Sequence, residues 1–297
     1  MRSQFYKGGE WTAMNYGTVS LGEPGYPLLL PLISDPPKML YYMGDLSLAA
    51  RRCVAVVGSR KTTEYGRWAA FTLGQRLAEH DIVVVSGLAA GIDACGHAGA
   101  LKAGGKTIAI LGCGIDLCYP AINRKLKEQI ASTGLVLSEY PPGFPAAVYT
   151  FPRRNRIISG VSEATVVAAA GLHSGSLITA ELAEEQGRAV YALPGNINNV
   201  YHLGSNKLIK DGAIPLVVLD DLLDELGICR IEREDMLTQL SGDEKDLMEQ
   251  LLQKGEQTVD QLCKSLARPT SHVNGLLTVL EMKGILRTSM GKIFVAK

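Results

Sequence analysis

The chemically most loaded stretch of this sequence is Phe151-Pro152-Arg153-Arg154-Asn155-Arg156, where three guanidinium groups and an amide follow an aromatic ring. A guanidinium is planar, always charged and forked, which suits it to phosphate and carboxylate alike. Phe151 offers a face on which a nucleobase can stack, a contact worth roughly 1–3 kcal/mol per base in single-strand binders. The segment runs into an expected helix, and cations at a helix start oppose its dipole. Such a placement calls for an anion: a bound polyanion, or a carboxylate of the protein itself. Glu139 is a candidate partner for at least one of the three.

A second group of residues can hold phosphate without any cation. Gly58-Ser59-Arg60-Lys61-Thr62-Thr63 follows an apolar run and opens a helix-like segment. Gly58 permits a tight turn, and the N–H groups around Ser59 face a helix start, where anions are favoured. Arg60 adds a fork. The alternative is a merely tight strand-to-helix turn. Ser174-Gly175-Ser176 repeats the arrangement further along. Ser86-Gly87-Leu88-Ala89-Ala90-Gly91-Ile92-Asp93 is built of small residues, which suits close approach to the backbone or close helix–sheet packing. In Asn123-Arg124-Lys125, Lys125 or Arg124 either reaches a phosphate or forms a solvated helix face. Neither Gly-x-Gly-x-x-Gly nor a P-loop is present. His97 and His173 stand near strand ends with no triad order around them, so packed or solvated imidazoles are expected. No metal-ligand spacing, catalytic residue or cofactor is expected.

The elements that must position these loops show in the apolar rhythm. From Cys53 onward, short β-branched runs alternate with segments of helical length: 54–57, 82–85, 107–111, 135–137, 164–168, 189–192 and 215–218. Each run is apolar on both faces, as in parallel strands covered by helices on either side. The fold class is α/β, an extended Rossmann-like doubly wound parallel sheet, and ligands bind such sheets beyond the carboxyl ends of the strands. Residues 1–50 are expected to be an extended or irregular lead-in, 51–228 the Rossmann-like domain, and 229–243 a charged linker. In residues 244–297 three helical patterns precede a candidate hairpin, the order of a winged helix.

Bulk properties set limits. The 297-residue chain is 46% hydrophobic with zero formal net charge, which disfavours a broad basic surface but leaves room for a local groove. The six cysteines form no Cys-x-x-Cys pair and read as isolated buried thiols of a reduced compartment. With no signal segment and no run near the ~20 apolar residues of a membrane span, a cytoplasmic protein is expected.

Taken in order, these loops resemble the DprA/Smf family (DNA-processing protein A). The matching strings are Gly58-Ser59-Arg60 with Tyr65-Gly66, Ser86 to Asp93, Gly112-Cys113-Gly114-Ile115-Asp116 with Tyr119-Pro120, and Ser138-Glu139-Tyr140-Pro141. Phe151 to Ser159, Ser174 to Ala180, Gly187-Arg188 and Asn206-Lys207-Leu208-Ile209 continue the series, which covers about residues 25–225. The resemblance implies a single-stranded DNA-binding protein, homodimeric and not an enzyme. It would protect incoming DNA and load a RecA-type recombinase in natural transformation, that is, in competence. It implies DNA contacts by Arg60 and by Arg153, Arg154 and Arg156 or their supports, and phosphates held at Ser59 and Ser176. With the residue-level reading, the candidate DNA-binding set is Gly58, Ser59, Arg60, Lys125, Phe151, Arg153, Arg154, Asn155, Arg156, Gly175 and Ser176. Many members carry a helical domain ahead of the Rossmann part, and the ~25 residues before the match are too few to hold one. Glu181 stands where a basic or neutral residue is expected.

Two other readings compete. One is a nucleotide-binding or nucleotide-hydrolysing Rossmann enzyme, for which Ser174 to Thr179 with Glu181 distantly echoes a phosphoribohydrolase loop. The other is a duplex-DNA regulator acting through the winged helix, whose recognition helix carries Ser271, His272, Asn274 and Lys283 against Glu281.

Overall fold

The computed structural model describes residues 3–7, 10–14, 16–228, 240–283, 285–289 and 291–295. The chain divides into two compact units, Met1–Leu223 and Asp224–Lys297. The first unit opens with β1 (Ser3–Lys7), β2 (Glu10–Met14), β3 (Gly17–Ser20) and β4 (Met39–Gly44). There follow β5 (Cys53–Gly58), α1 (Glu64–Glu79), β6 (Val83–Ser86), α2 (Ile92–Lys102), β7 (Thr107–Leu111), α3 (Arg124–Thr133) and β8 (Leu135–Ser138). Then come α4 (Thr150–Gly160), β9 (Ala164–Ala169), α5 (Gly175–Glu185), β10 (Ala189–Ala192), α6 (Leu203–Asp211), β11 (Ile214–Pro215) and α7 (Asp221–Glu225).

Nine strands form one sheet in the order β11-β10-β9-β5-β6-β7-β8-β4-β3. The seven from β5 to β11 run parallel. Both faces are covered, because alternate residues of one strand feed different cores. Ile108 and Ile110 pack with Ile157 and Ile158 of α4 and Ala180 and Ala183 of α5, while Ala109 and Leu111 pack with Ile130 of α3. All of these side chains are buried, and each Ile contributes about 1.5–3 kcal/mol. From β5 the chain winds outward through β6, β7 and β8, then returns to the other side of β5 as β9, β10 and β11. The winding therefore reverses between β5 and β9, and their register shifts there at Val57 and Gly58.

The lead-in, expected to be extended or irregular, contains regular strands. β4 pairs antiparallel with β8, and β3 with β4, so residues 17–44 extend the sheet. The Pro and Gly clusters that suggested irregular chain lie in the turn between these strands. Pro215, which lacks an N–H, sits in a two-residue edge strand, and the rest of its apolar run leaves the sheet, with Val217 73% exposed.

In the second unit, α8 (Gly242–Lys254), β12 (Gln257–Thr258), α9 (Val259–Leu266), α10 (Thr270–Met282), β13 (Leu286–Ser289) and β14 (Lys292–Val295) surround a core that includes Leu247, Leu251, Leu262, Val273, Leu280 and Ile293. The three strands are antiparallel in the order β12-β14-β13. Capping boxes, Ser241 with Glu244 and Thr258 with Gln261, start two of the helices. The expected linker and Cys229 lie outside the described residues up to position 239, and residues 240–243 lead into and begin α8. Among the described cysteines Cys53 and Cys113 are buried, whereas Cys95, Cys118 and Cys263 are half-buried, and all five are free.

Candidate nucleic-acid interface

A cavity of about 600 Å³ opens where the winding reverses. Its walls are Val57 to Lys61 at and beyond the end of β5, Gly171 to Ser176 after β9, and Phe151, Arg154 and Asn155 from α4. Reversal leaves adjacent strand-end loops diverging in opposite directions, and the gap between them is where open α/β sheets bind ligands.

The first wall is a turn onto α1, capped by the Thr63 hydroxyl, which accepts the Gly66 N–H at 3.1 Å. The turn is drawn down onto the next loop, since a Cβ at Gly91 would lie 2.5 Å from the Ser59 carbonyl oxygen, and Gly91 has φ +83°. Glycine at 91 thus serves close approach of backbone to backbone. Arg60 leaves this turn exposed, and no hydrogen bond or ion pair binds it to the rest of the described protein. Its guanidinium stands 5.0 Å from the centre of the Phe151 ring and 5.9 Å from that of Tyr119, and the two rings lie 5.3 Å apart. A cation–π contact of this kind orients a cation without neutralising it.

The third wall carries the other arginines, and here the charges are spoken for. Arg154 is 5% exposed. Its guanidinium donates to the backbone carbonyls of Gly87 and Ile110 and, at 3.2 Å, to Asn155 Oδ1. A Cβ at Gly87 would overlap that guanidinium at 2.6 Å, so the glycine makes room for it. Its counter-charge is Asp93, which accepts the N–H groups of Gly87 and Ala89 at 3.1 and 3.3 Å. Burial pushes the Asp93 carboxyl up, against the pull of Arg154. Arg156 meets Glu139 at 2.7 Å and Asp35 at 3.1 Å with its side chain 9% exposed. Arg153 is 56% exposed, 3.5 Å from Glu139. The anion that the helix start calls for is therefore, for Arg156, a pair of carboxylates of the protein, Glu139 among them.

The second wall is the N-terminus of α5. The Ser174 hydroxyl caps it, accepting the Ser176 N–H at 3.4 Å and pairing with the Ser176 hydroxyl at 2.8 Å. Asn155 ties α4 to this wall, its amide donating to the Gly175 carbonyl at 3.2 Å.

Of the eleven candidate residues, the cavity gathers Gly58, Ser59, Arg60, Phe151, Arg154, Asn155, Gly175 and Ser176. Lys125 is exposed on α3, and neither it nor Arg153 nor Arg156 lines the cavity. On the same helix Lys127 is buried, donating to the carbonyls of Ile115 and Leu117 at 2.5 and 2.8 Å. That bond anchors the loop bearing Tyr119, which the sequence offered only as a turn residue beside Pro120. Lys61, from the same glycine-turn motif as Arg60, also lines the cavity, as do Val200 and Tyr201, which carried no motif signal. Glu181 is exposed and outside it. His97 is fully buried with Nδ1 2.6 Å from the Thr107 hydroxyl, while His173 is exposed on the cavity wall. Among the described residues no cluster of His, Cys, Asp and Glu can hold a metal ion, and no helix is long and apolar enough to cross a membrane.

In the second unit Arg268 and His272 both meet Asp243, at 2.9 and 3.0 Å, Lys283 meets Glu244 at 2.7 Å, and Lys292 meets Glu256. The polar residues His272 and Lys283 are thus already engaged with carboxylates.

Comparison with known proteins places this geometry. The family model described as DNA recombination-mediator protein A matches residues 17–227, from β3 through the end of the described α/β elements. DNA processing protein DprA of Streptococcus pneumoniae is 44% identical over 210 residues, covering 71% of this chain and 74% of that one, and its X-ray structure superposes with a TM-score of 0.68. Protein Smf of Synechocystis is 45% identical over 210 residues, 69% of this chain and 52% of that longer one, so the match spans about half of it. DNA processing protein A of Helicobacter pylori, whose structure was described for its single-stranded DNA binding mode, is 33% identical, with a TM-score of 0.65 over 71% of this chain and 95% of that one. With the family model matched over most of the chain and a relative at this identity over most of its length, the chain belongs to the DNA recombination-mediator protein A family, DprA/Smf.

Proposed function

We propose that the chain binds single-stranded DNA at the cavity between the ends of β5 and β9, protects it, and passes it to a RecA-type recombinase in transformation and recombination. The observation that carries this reading is Arg60: an exposed guanidinium at the cavity wall, without a carboxylate partner among the described residues, held over the rings of Phe151 and Tyr119. A phosphate can pair with the fork while a base stacks nearby. The α5 N-terminus at Gly175 and Ser176 lines the same cavity, and the positive end of its helix dipole favours a second phosphate. The single-stranded DNA binding described for the Helicobacter pylori relative supports the assignment. Gly58, Ser59 and Asn155 are read as lining the DNA path, Arg154 and Arg156 as its supports, and Arg153 and Lys125 as peripheral charges.

The same reading takes the protein as a cytoplasmic homodimer that does no catalysis and needs no cofactor. Residues 51–228 form its DNA-binding domain, and 244–297 a winged helix whose paired cations fit a partner-binding role better than duplex readout. The test is fluorescence anisotropy with labelled oligo-dT and matched duplex at two salt concentrations, for wild type and Arg60→Ala. Salt-sensitive binding preferring the single strand and weakened in the variant is expected. Folded protein that ignores oligo-dT would overturn the reading, and turnover of nucleotides to ribose 5-phosphate would replace it with an enzyme.

A further inference from the structure

A second cavity, about 500 Å³, lies beside the first and is lined by Thr63, Tyr65, Pro194, Gly195, Asn196, Asn199 and His202. The two share both walls. The turn after β5 and the first turn of α1 contribute Arg60 and Lys61 to the first cavity and Thr63 and Tyr65 to the second. The segment leading into α6 contributes Val200, Tyr201 and Leu203 to the first and Asn199 and His202 to the second. Residues 61 and 63 are two positions apart, at most about 7 Å along the chain. A polymer held in one cavity can therefore continue into the other.

Their chemistry differs. The first cavity has Arg60, Lys61 and Arg154 in its lining. Among the described residues that line the second there is no ionised side chain; its polar groups are hydroxyl, amide and imidazole. Such a lining suits a nucleobase and not a phosphate. Tyr65 is 44% exposed, fixed by its hydroxyl donating to the Pro194 carbonyl at 3.3 Å and by the His202 ring 5.5 Å away. The Trp68 ring, 57% exposed, lies 6.1 Å further on and extends the aromatic surface. His202 is 2% exposed, and its Nε2 lies 3.1 Å from the Thr63 hydroxyl. That hydroxyl accepts the Gly66 N–H with one lone pair, and toward Nε2 it serves as donor or acceptor according to the ring's tautomer. In either tautomer Nδ1 has no hydrogen-bond partner among the described residues, and a buried polar atom left without one is costly. A Cβ at Gly195 would strike the same ring at 2.3 Å, so glycine there makes room for the imidazole.

We propose that the second cavity is a base subsite on the same DNA path: a nucleobase of the strand stacks on Tyr65 and meets the amides of Asn196 and Asn199, while the phosphates stay with Arg60 and Lys61 next door. This rests on the reading of the first cavity as the single-stranded DNA site.

The test uses the full chain and oligo-dT of increasing length, with a single 2-aminopurine moved along the strand as a stacking reporter. Wild type is expected to quench the reporter at two separate strand positions and to gain affinity when the oligonucleotide becomes long enough to reach the second. In Tyr65→Leu one quenched position disappears, and long oligonucleotides bind about fivefold or more weakly. The shortest bound oligonucleotide keeps its affinity. Asn196→Asp, on an exposed residue that leaves the fold alone, gives the same length-selective loss by adding a charge. If both variants keep the wild-type length dependence and both quenched positions while Arg60→Ala weakens binding, the second subsite is wrong and the first site stands. If oligo-dT does not bind wild type, both fall together. Free thymidine that protects Tyr65 without competing with oligo-dT would assign the cavity to a separate small molecule and overturn its place on the strand.

Discussion

Two segments bring positive charge to the cavity and dispose of it in opposite ways. In α4, the dense cluster Arg153 to Arg156 is largely consumed inside the protein: Arg154 by two backbone carbonyls and Asp93, Arg156 by Glu139 and Asp35. In the turn after β5, the exposed Arg60 has two aromatic faces for company and no described carboxylate. Density of arginine along a sequence is therefore not density of available charge. The buried guanidiniums hold the loops in register, so that an exposed one can meet a ligand in a fixed place.

The contrast breaks most visibly by removing a buried charge. Arg156→Ala strands Glu139, whose side chain is 15% exposed, with Arg153 alone nearby. A loss of about 3 kcal/mol in urea unfolding is expected. Arg154→Met, which takes the donor from Gly87 and Ile110 and the counter-charge from Asp93, is expected to cost a similar amount. A stability change under 1 kcal/mol in both would mean that these arginines are not structural. Arg60→Ala inverts the pattern: stability stays within about 0.5 kcal/mol, but oligo-dT binds roughly tenfold more weakly or worse. Its salt dependence, plotted as log K against log salt, falls by about 0.7 for one lost phosphate contact. Equal loss of affinity in a folded Arg153→Ala would dissolve the distinction between the two segments.

A pH experiment probes the buried side of the contrast. Burial, and then the Arg154 charge, push the His97 imidazole down to about 3. Its folded value lies below the unfolded one, so its contribution is complete above about pH 6.5 and is lost as pH falls toward about 3. Urea unfolding at pH 7, 5.5 and 4 should show that decline, at up to ~1.4 kcal/mol per pH unit. Arg154→Met removes a cation beside the ring, so the decline becomes shallower. An unchanged slope would separate His97 from Arg154. The smallest effect belongs to Arg153→Ala, whose half-exposed pairing with Glu139 should contribute less than about 1 kcal/mol on unfolding.

How much was legible differs between backbone and charge. The alternating apolar runs located the parallel strands, and the Gly and Ser turns at 58–60 and 174–176 marked the strand ends that form two walls of the cavity. Phe151 was recognisable because an aromatic beside cations is a local feature. The antiparallel strands of residues 17–44 were hidden because their Pro- and Gly-rich connection dominates the composition, while pairing with β8 depends on residues nearly a hundred positions away. Tyr119 was hidden too, since its ring acquires meaning only beside Arg60 and Phe151.

By itself, the sequence determined the α/β class, the family motifs in order and the loops at which to search, because periodicity, turn residues and helix starts are set by neighbours in the chain. Which arginines remain available was decided only in three dimensions. Arg156 finds Asp35 across 121 positions and Glu139 across 17, and Arg154 finds Gly87 across 67. The energy of a charge depends on what surrounds it after folding, and in this protein those surroundings come from remote parts of the chain.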